Sequence, residues 1–410
     1  MTAFAYCRSN NLLPEKRLRW SVLLLVFWAT LVAAGEWPES LQLHGFASQG
    51  YTLTSANNFW GDSSDDGTFQ PTELGLNASW RPLNDLQLSA QMLSRRAGQN
   101  DEGEPRLDYG FVDYGIFSTG TDRFGLRLGR VKNYIGLYNE TRDVVFTRPT
   151  ILLPQSLYFD TFRRLQLSGD GFHLYGERRT GWGEFSFKAG IGYPLVEDKV
   201  MKEFIFGTDL PGHFQSKMTY IGQLLYESNS STWRVALSGF QSNFDYQPDA
   251  LPPVDLTHGA LRFQAGIISL QYNAERWSLT SEFGLRSTRT DDFGTPFDAT
   301  ITSQFYYIQG SYRLAEDWEA VLRYDVLYLD KDDKNGHQFA EQDPFGRPDY
   351  SRFAKDWAIG LNWNINSNWI LRAEYDRVNG TAWLNPLDNP NPVDTQQHWN
   401  MFIFMGGYRF

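Results

Sequence analysis

The stretch that decides the fold is residues 398–410, HWNMFIFMGGYRF. Successive side chains of a strand point to opposite faces, so one face would carry Phe402, Phe404, Gly406, Tyr408 and Phe410, and the other Met401, Ile403, Met405, Gly407 and Arg409. An aromatic edge strand left open in water invites aggregation. A membrane-spanning barrel tolerates such a strand, because lipid covers the aromatic face and the edge pairs with the first strand. The alternative is a core strand of a soluble β-sandwich.

The composition of the chain narrows the class of protein to which it can belong. The chain has 410 residues, a formal charge of −11 and 21% charged residues, which is too polar for a helical membrane protein. Its acidity disfavours nucleic acid as a partner. The aromatic share of 16% suits aromatic belts at two membrane interfaces.

The first part of the chain has the pattern of a signal peptide. An apolar run over residues 20–34 follows Arg8, Lys16, Arg17 and Arg19 and ends in two alanines. It is shorter than the roughly twenty residues that a membrane-spanning helix needs. We therefore expect residues 1–34 to be a signal peptide and residues 35–410 to be the barrel. Cys7, the one cysteine, lies in the predicted leader, so disulfide and thiolate chemistry are not expected beyond it.

One unit then repeats along the chain: a strand of about ten residues followed by a turn. The pattern predicts about sixteen strands, at residues 41–54, 69–80, 86–97, 106–117, 123–135, 171–179, 184–193, 217–227, 232–245, 258–274, 277–288, 301–314, 318–329, 352–364, 369–379 and 398–410. Short and long turns alternate, as in all-β transmembrane antiparallel barrels with periplasmic turns and external loops. Aromatic belts are expected where Trp recurs near strand ends, at Trp80, Trp233, Trp277, Trp318, Trp357, Trp363, Trp369 and Trp399.

Alternation also places charges on the inner face. A charge on the lipid face near the midplane would cost about 2–4 kcal/mol, so apolar positions are assigned outward. The predicted pore wall then carries Arg127, Arg234, Arg262, Arg286, Arg323, Arg372, Glu282, Asp325 and Glu374. Mixed charges favour a wet lumen, and sixteen strands are wide enough for an aqueous channel.

The long interruption at residues 136–171 is more apolar than the acidic loops beside it. We expect it to fold inward and to narrow the lumen. The predicted constriction carries Arg142, Arg148, Arg163 and Arg164, opposed by Glu140, Asp143 and Asp160. Packing over the rim or against a neighbouring subunit is the alternative, and full closure would make a plugged structural barrel.

The terminal Phe410, preceded by alternating aromatic and apolar residues, resembles the C-terminal signature of bacterial outer-membrane barrels. With the strand count and the inward third loop, the chain resembles the bacterial outer-membrane porin superfamily. Its arginine-rich inner face and residues 128–137, LGRVKNYIGL, are similar to the phosphate-selective porin group. The resemblance implies passive diffusion of small hydrophilic or ionic solutes, anion preference, a homotrimer, and outer-membrane lipid and lipopolysaccharide as surroundings. Carboxylates on the same inner face depart from the anion-selective pattern.

An outer-membrane barrel enzyme is the remaining alternative. None of the histidines beyond the leader lies beside a serine in a recognisable nucleophile and base arrangement, and no Asp–His pair marks a protease site. No paired His or Cys spacing indicates a metal site. We therefore predict no catalytic residue, no cofactor and no metal.

Overall fold

The computed structural model describes residues 40–249, 258–294 and 297–410. The predicted signal peptide, residues 1–34, lies outside the described residues. Among the described residues, no helix is both long enough and apolar enough to cross a membrane.

The described chain is a single antiparallel sheet of seventeen strand segments. They are β1 (Leu41–Thr54), β2 (Thr72–Leu83), β3 (Leu86–Arg96), β4 (Arg106–Ser118), β5 (Asp122–Lys132), β6 (Ser168–Arg179), β7 (Gly183–Pro194), β8 (Gly212–Ser216), β9 (Thr219–Ser228), β10 (Trp233–Pro248), β11 (Gly259–Asn273), β12 (Trp277–Asp291), β13 (Ala299–Arg313), β14 (Trp318–Tyr328), β15 (Phe353–Asn364), β16 (Trp369–Gly380) and β17 (His398–Arg409). Strands β8 and β9 follow one another and pair with successive parts of β10. The segments therefore make the sixteen strands that the sequence predicts.

The sheet closes on itself through its last strand. Strand β17 pairs with β16 and also with β1, from Phe46 opposite Arg409 to Thr54 opposite Met401. Elsewhere each strand pairs with its neighbours along the chain, except that β7 pairs with β9 and the short β8 pairs with β10. Closure leaves no open edge, which is the condition for a sheet in lipid. The predicted closed all-β antiparallel barrel is confirmed.

The two faces of the terminal strand divide as alternation predicts. The side chains of Phe402 and Phe404 are 42% and 44% exposed, whereas Met401, Ile403 and Met405 are buried. Trp399 is the exception among the expected belt tryptophans: it is buried, with its ring 5.2 Å from that of Trp383. The indole packs inward because the loop before β17 brings Trp383 against it.

Short helices occupy the longer connections. They are α1 (Arg163–Leu167), α2 (Asp198–Phe206) and α3 (His337–Gln342), with single 3-10 turns at Asn139–Thr141, Val145–Thr147, Asp160–Phe162, Asp349–Arg352 and Pro392–Asp394. The long interruption is shorter at its far end than the predicted 136–171. Residues 168–171 belong to β6, because Ser168 pairs with Lys132 and Gly171 with Gly129. We call residues 133–167 the β5–β6 segment.

Candidate functional site

The β5–β6 segment bonds to the buried face of strands from well-separated parts of the sheet. Gly136 N donates to Ser238 Oγ of β10 (3.2 Å), Leu137 N to Glu282 of β12 (3.0 Å), Ser156 N to Asp325 of β14 (3.0 Å), Leu152 N to Glu374 of β16 (2.9 Å) and Arg148 Nη2 to Glu73 of β2 (2.7 Å). Ile151, Leu152, Leu153, Tyr158 and Phe159 of the segment are buried in the main apolar cluster. The segment is therefore anchored by both polar and apolar contacts.

Glu73 gathers three arginines. Its carboxylate accepts from Arg95 Nε (3.2 Å), Arg148 Nη2 (2.7 Å) and Arg163 Nη1 (2.6 Å), and all four side chains are buried. Two of the predicted constriction arginines, Arg148 and Arg163, thus meet on one carboxylate. Sequence reasoning missed Glu73 and Arg95, although both lie on the inner face of adjacent strands, where alternation could have found them.

Asp160 extends this group. It accepts from Arg95 Nη2 (2.7 Å) and from Trp60 Nε1 (2.6 Å), and it lies 3.9 Å from Arg142 Nη2. Burial opposes its ionisation, but Arg95, Arg163 and Arg142 together hold the pKa of the Asp160 carboxyl well below its usual range. Asp160 is therefore ionised and holds positive side chains from β3 and the β5–β6 segment together. We call Glu73, Arg95, Arg142, Arg148, Asp160 and Arg163 the arginine cluster.

The other predicted constriction residues lie elsewhere. Asp143 accepts from Lys132 Nζ (2.6 Å), and Glu140 accepts from Lys188 Nζ (2.6 Å). These two carboxylates therefore form their ion pairs with lysines of β5 and β7 and not with the predicted arginines, although the charge of Arg163 also acts on Asp143. The partners Lys132 and Lys188 were missed, since pairing across strands is not visible in local sequence.

Arg164 does not join the arginine cluster. Its side chain is 41% exposed and pairs with Glu197 at 3.4 Å, in the connection between β7 and α2. Consecutive residues of α1 point in different directions, so Arg164 is not brought together with Arg163, and its place near the axis stays a prediction.

Four predicted wall residues are sealed from water. Arg323, Asp325, Glu282 and Glu374 are each at most 2% exposed. Arg323 lies 3.2–3.6 Å from Glu374, Asp376 and Asp356 and donates through Nη1 to Thr150 Oγ1 and Leu152 O. The expectation that these charges line water is wrong, since the β5–β6 segment covers them.

Four further arginines of the predicted wall lie on the inner face, and their partners differ. Arg127 pairs with Asp113 at 2.8 Å and Arg234 with Glu227 at 3.1 Å, and both keep about a quarter of their side chain exposed (24% and 29%). Arg372 donates to Thr150 O (3.2 Å), and Arg286 donates to Ser303 Oγ at 3.5 Å. Within the described ranges, neither Arg372 nor Arg286 makes an ion pair.

Arg262 is on the opposite face. It is exposed and donates to Asn243 Oδ1 (3.1 Å), while Leu261, Phe263 and Ile267 on either side of it are buried. The predicted inward position of Arg262 is wrong. The apolar residues of this end of β11 pack inward among aromatic side chains such as Phe244, whose ring lies 6.0 Å from that of Phe263.

A cavity opens beside the β5–β6 segment, between it and the inner faces of β6 to β12. It encloses about 770 Å³ of space not occupied by atoms, which includes its open mouth. Its polar lining consists of Asn133, Gln166, His173, Thr219, Ser242 and Arg286. None of the lining side chains is a carboxylate.

Comparison with known proteins shows the fold only. No protein-family model matches the chain, and no curated protein matches it. Among solved structures, the chain is similar to the outer-membrane protein OmpT of Vibrio cholerae (12% identity, 90% of this chain and 97% of that chain, TM-score 0.55) and to the anion-selective porin from Comamonas acidovorans (12% identity, 90% and 99%, TM-score 0.54). It is also similar to OmpF of Salmonella typhi in a complex with daunomycin (14% identity, 90% and 97%, TM-score 0.54). The architecture is therefore that of porin barrels.

Proposed function

We propose that the protein is a porin of the bacterial outer membrane that lets small hydrophilic or ionic solutes diffuse passively. The observation that carries this proposal is a closed sixteen-stranded barrel with an apolar exposed face and ionic groups of both signs on the other face. An apolar outer band requires lipid around it, and a barrel of this size can enclose a channel. Outer-membrane lipid and lipopolysaccharide would then surround the barrel, and the porin fold supports a homotrimer.

The β5–β6 segment is, in this proposal, the constriction. Its bonds to β2 on one side and to β12, β14 and β16 on others support a path across the inside of the closed sheet. Its arginines would narrow the lumen together with Glu73. Rings of charged side chains at a narrow point are how channels select ions.

The water-accessible side of the lumen would run along β5 to β7. Here the charged side chains of the inner face stay partly exposed to solvent: Arg127 is 24% exposed, Lys188 is 23% exposed and Lys132 is 15% exposed. Their carboxylate partners are equal in number, so the wall alone is balanced. In the arginine cluster four arginines meet Glu73 and Asp160, and Arg95 also pairs with Asp101, so four positive side chains face three carboxylates. This excess supports a preference for anions.

A plugged barrel is the second candidate. It is favoured by the burial of Arg323, Glu282, Asp325 and Glu374 under the β5–β6 segment. A segment fixed by so many bonds could close the lumen as well as narrow it.

Planar-bilayer recording of the refolded protein under a salt gradient tests both candidates. We expect stepwise conductance with a reversal potential that favours anions. Lys188→Glu should reduce or reverse that preference, because it replaces a partly exposed positive charge on the proposed path. Lys331→Glu is the matched control, since Lys331 pairs with Asp332 in an exposed loop. A folded wild-type barrel without conductance would favour the plugged barrel, and a K188E channel with unchanged selectivity would remove Lys188 from the path.

A further inference from the structure

The cavity beside the β5–β6 segment holds a cation without a counter-charge. Arg286 lines it, and its Nε atom is inaccessible to solvent and has no hydrogen-bond partner. Among the residues that the structure describes, the one hydrogen bond of its guanidinium is to Ser303 Oγ, at the long distance of 3.5 Å. Arg286 as a whole is partly buried, and a guanidinium that is partly removed from water is costly unless an anion pairs with it.

A second polar group of the cavity is also unsatisfied. His173 is 3% exposed, and its Nδ1 atom has no hydrogen-bond partner in the described part of the chain. Its ring meets the Tyr134 ring edge-on at 5.3 Å. Buried polar atoms in native proteins are nearly always bonded, so two unsatisfied groups at one cavity indicate a missing partner.

Apart from the polar residues Asn133, Gln166, Thr219 and Ser242, the rest of the wall is largely apolar and rich in rings. Phe162, Phe204, Phe240 and Phe263 line the cavity, and Phe162 and Phe204 meet edge-on at 4.9 Å. Aromatic walls favour a flat apolar body through stacked or edge-on contacts. The missing partner would therefore combine an anionic group with a ring.

The geometry points to a binding site for small aromatic carboxylates. The carboxylate accepts hydrogen bonds from the Arg286 guanidinium, whose planar fork suits two parallel bonds, and the ring lies among Phe162, Phe204, Phe240 and Phe263. This site deepens the proposed function, because it assumes that the solute reaches the lumen. It names one solute class that the channel would retain, and it adds a residue, Arg286, that lies outside the arginine cluster.

Isothermal titration of the folded protein in detergent with sodium benzoate tests the site without requiring conductance. Benzoate is expected to bind saturably, while benzamide, which lacks the charge, and acetate, which lacks the ring, bind at least about tenfold more weakly. Arg286→Gln should weaken benzoate binding by a similar factor, and Arg286→Lys by less. Arg289→Gln is the matched control, because Arg289 lies on the exposed face of the same strand and pairs with Asp291.

Ser242→Asp is the second variant, for the case that R286Q does not fold. It leaves Arg286 in place and adds a competing carboxylate to the lining, so benzoate binding should be lost in a barrel that keeps its heat-modifiable mobility on a gel. Equal affinities for benzoate and acetate, or unchanged benzoate binding in folded R286Q or S242D, would overturn the site. Failure of conductance with intact benzoate binding would overturn the proposed channel and leave the site standing.

Discussion

The arginine cluster depends on one carboxylate. Glu73 is the shared partner of Arg95, Arg148 and Arg163, which come from β3 and from the middle and the far end of the β5–β6 segment. A buried ion pair adds little to stability compared with an apolar pair, but removal of one partner leaves the others uncompensated. The loss of Glu73 would leave three buried cations competing for Asp160 and Asp101.

Glu73→Gln should therefore lower the free energy of unfolding by about 3–5 kcal/mol, because it removes the charge from a buried centre. Urea unfolding in lipid vesicles, followed by tryptophan fluorescence, measures this change. Glu184→Gln is the control: Glu184 pairs with an exposed Arg179, and its loss should change stability by less than about 1 kcal/mol. Equal midpoints for E73Q and wild type would mean that Glu73 is not the partner that holds the cluster.

Glu197 gives the barrel a dependence on pH. Burial, and then the nearby Asp101, raise the pKa of Glu197 from 4.5 to about 7, while Arg164 opposes the rise. The folded protein thus holds a proton that the unfolded chain has released, so stability should fall as pH rises from about 4.5 to 7. Glu197→Gln should remove most of this dependence on pH. The change in the free energy of unfolding over the range is on the order of 1–3 kcal/mol in total. Urea midpoints at a series of pH values check it, and an unchanged slope in E197Q would contradict the assignment.

At the scale of the element, strand β17 shows why alternation predicts so much. Phe402 and Phe404 are outward, and Met401, Ile403 and Met405 are inward, because lipid and packed interior impose opposite demands on alternate residues. This requirement acts on neighbouring residues, so the thirteen residues 398–410 are enough to reveal the two faces. The strand bounds along the chain follow from the same local rule and agree within a few residues.

Phe404→Arg should destabilise the inserted barrel by about 2–4 kcal/mol, because it places a charge on the lipid face. The measurement is the urea midpoint for folding into phospholipid vesicles. Phe404→Leu keeps the apolar contact and serves as the control. Equal insertion of F404R and F404L would contradict the outward assignment.

The β5–β6 segment turns at a glycine. Gly136 has φ +58°, and an added Cβ would meet the Tyr158 hydroxyl and the Glu282 carboxylate. Gly136→Ala should therefore displace the segment where it leaves β5, while the strands stay paired. We expect altered single-channel conductance with unchanged gel mobility of the folded barrel. Gly120→Ala is the control, because an added Cβ there meets nothing within 4 Å, and equal conductance in both variants would contradict a constricting role for the segment.

Two features of the site could not be predicted from the local sequence: which face of a strand is inward, and which residues form ion pairs. Alternation separates two faces but does not say which face is inward. The sequence therefore misplaces Arg262, because apolar residues such as Leu261 and Phe263 suit either lipid or a packed interior. Two partners of the predicted constriction residues come from other strands, Glu73 for Arg163 and Lys188 for Glu140, whereas Lys132, the partner of Asp143, ends the strand that precedes the segment. Such pairs depend on the register of the whole sheet and on the path of the segment, which no local pattern contains.

At the scale of the whole molecule, the proposed homotrimer makes a direct prediction. Three barrels that pack side by side would cover part of the apolar exposed face of each. Light scattering of the protein purified in detergent should give the mass of three chains, and brief heating should dissociate them before the barrels unfold. A single-chain mass in several mild detergents would contradict the trimer and leave the diffusion channel untouched.

The closure of β17 on β1 also sets an order of events. Phe46 of β1 pairs with Arg409 of β17, so β1 can form hydrogen bonds along this edge only after β17 has been synthesised. Contacts this distant along the chain are slow to form, and the strands between them present unpaired edges while they wait. The polypeptide must therefore be kept from aggregating through its entire synthesis and transit, and a chain truncated within β17 would be a target for proteolysis rather than a smaller barrel.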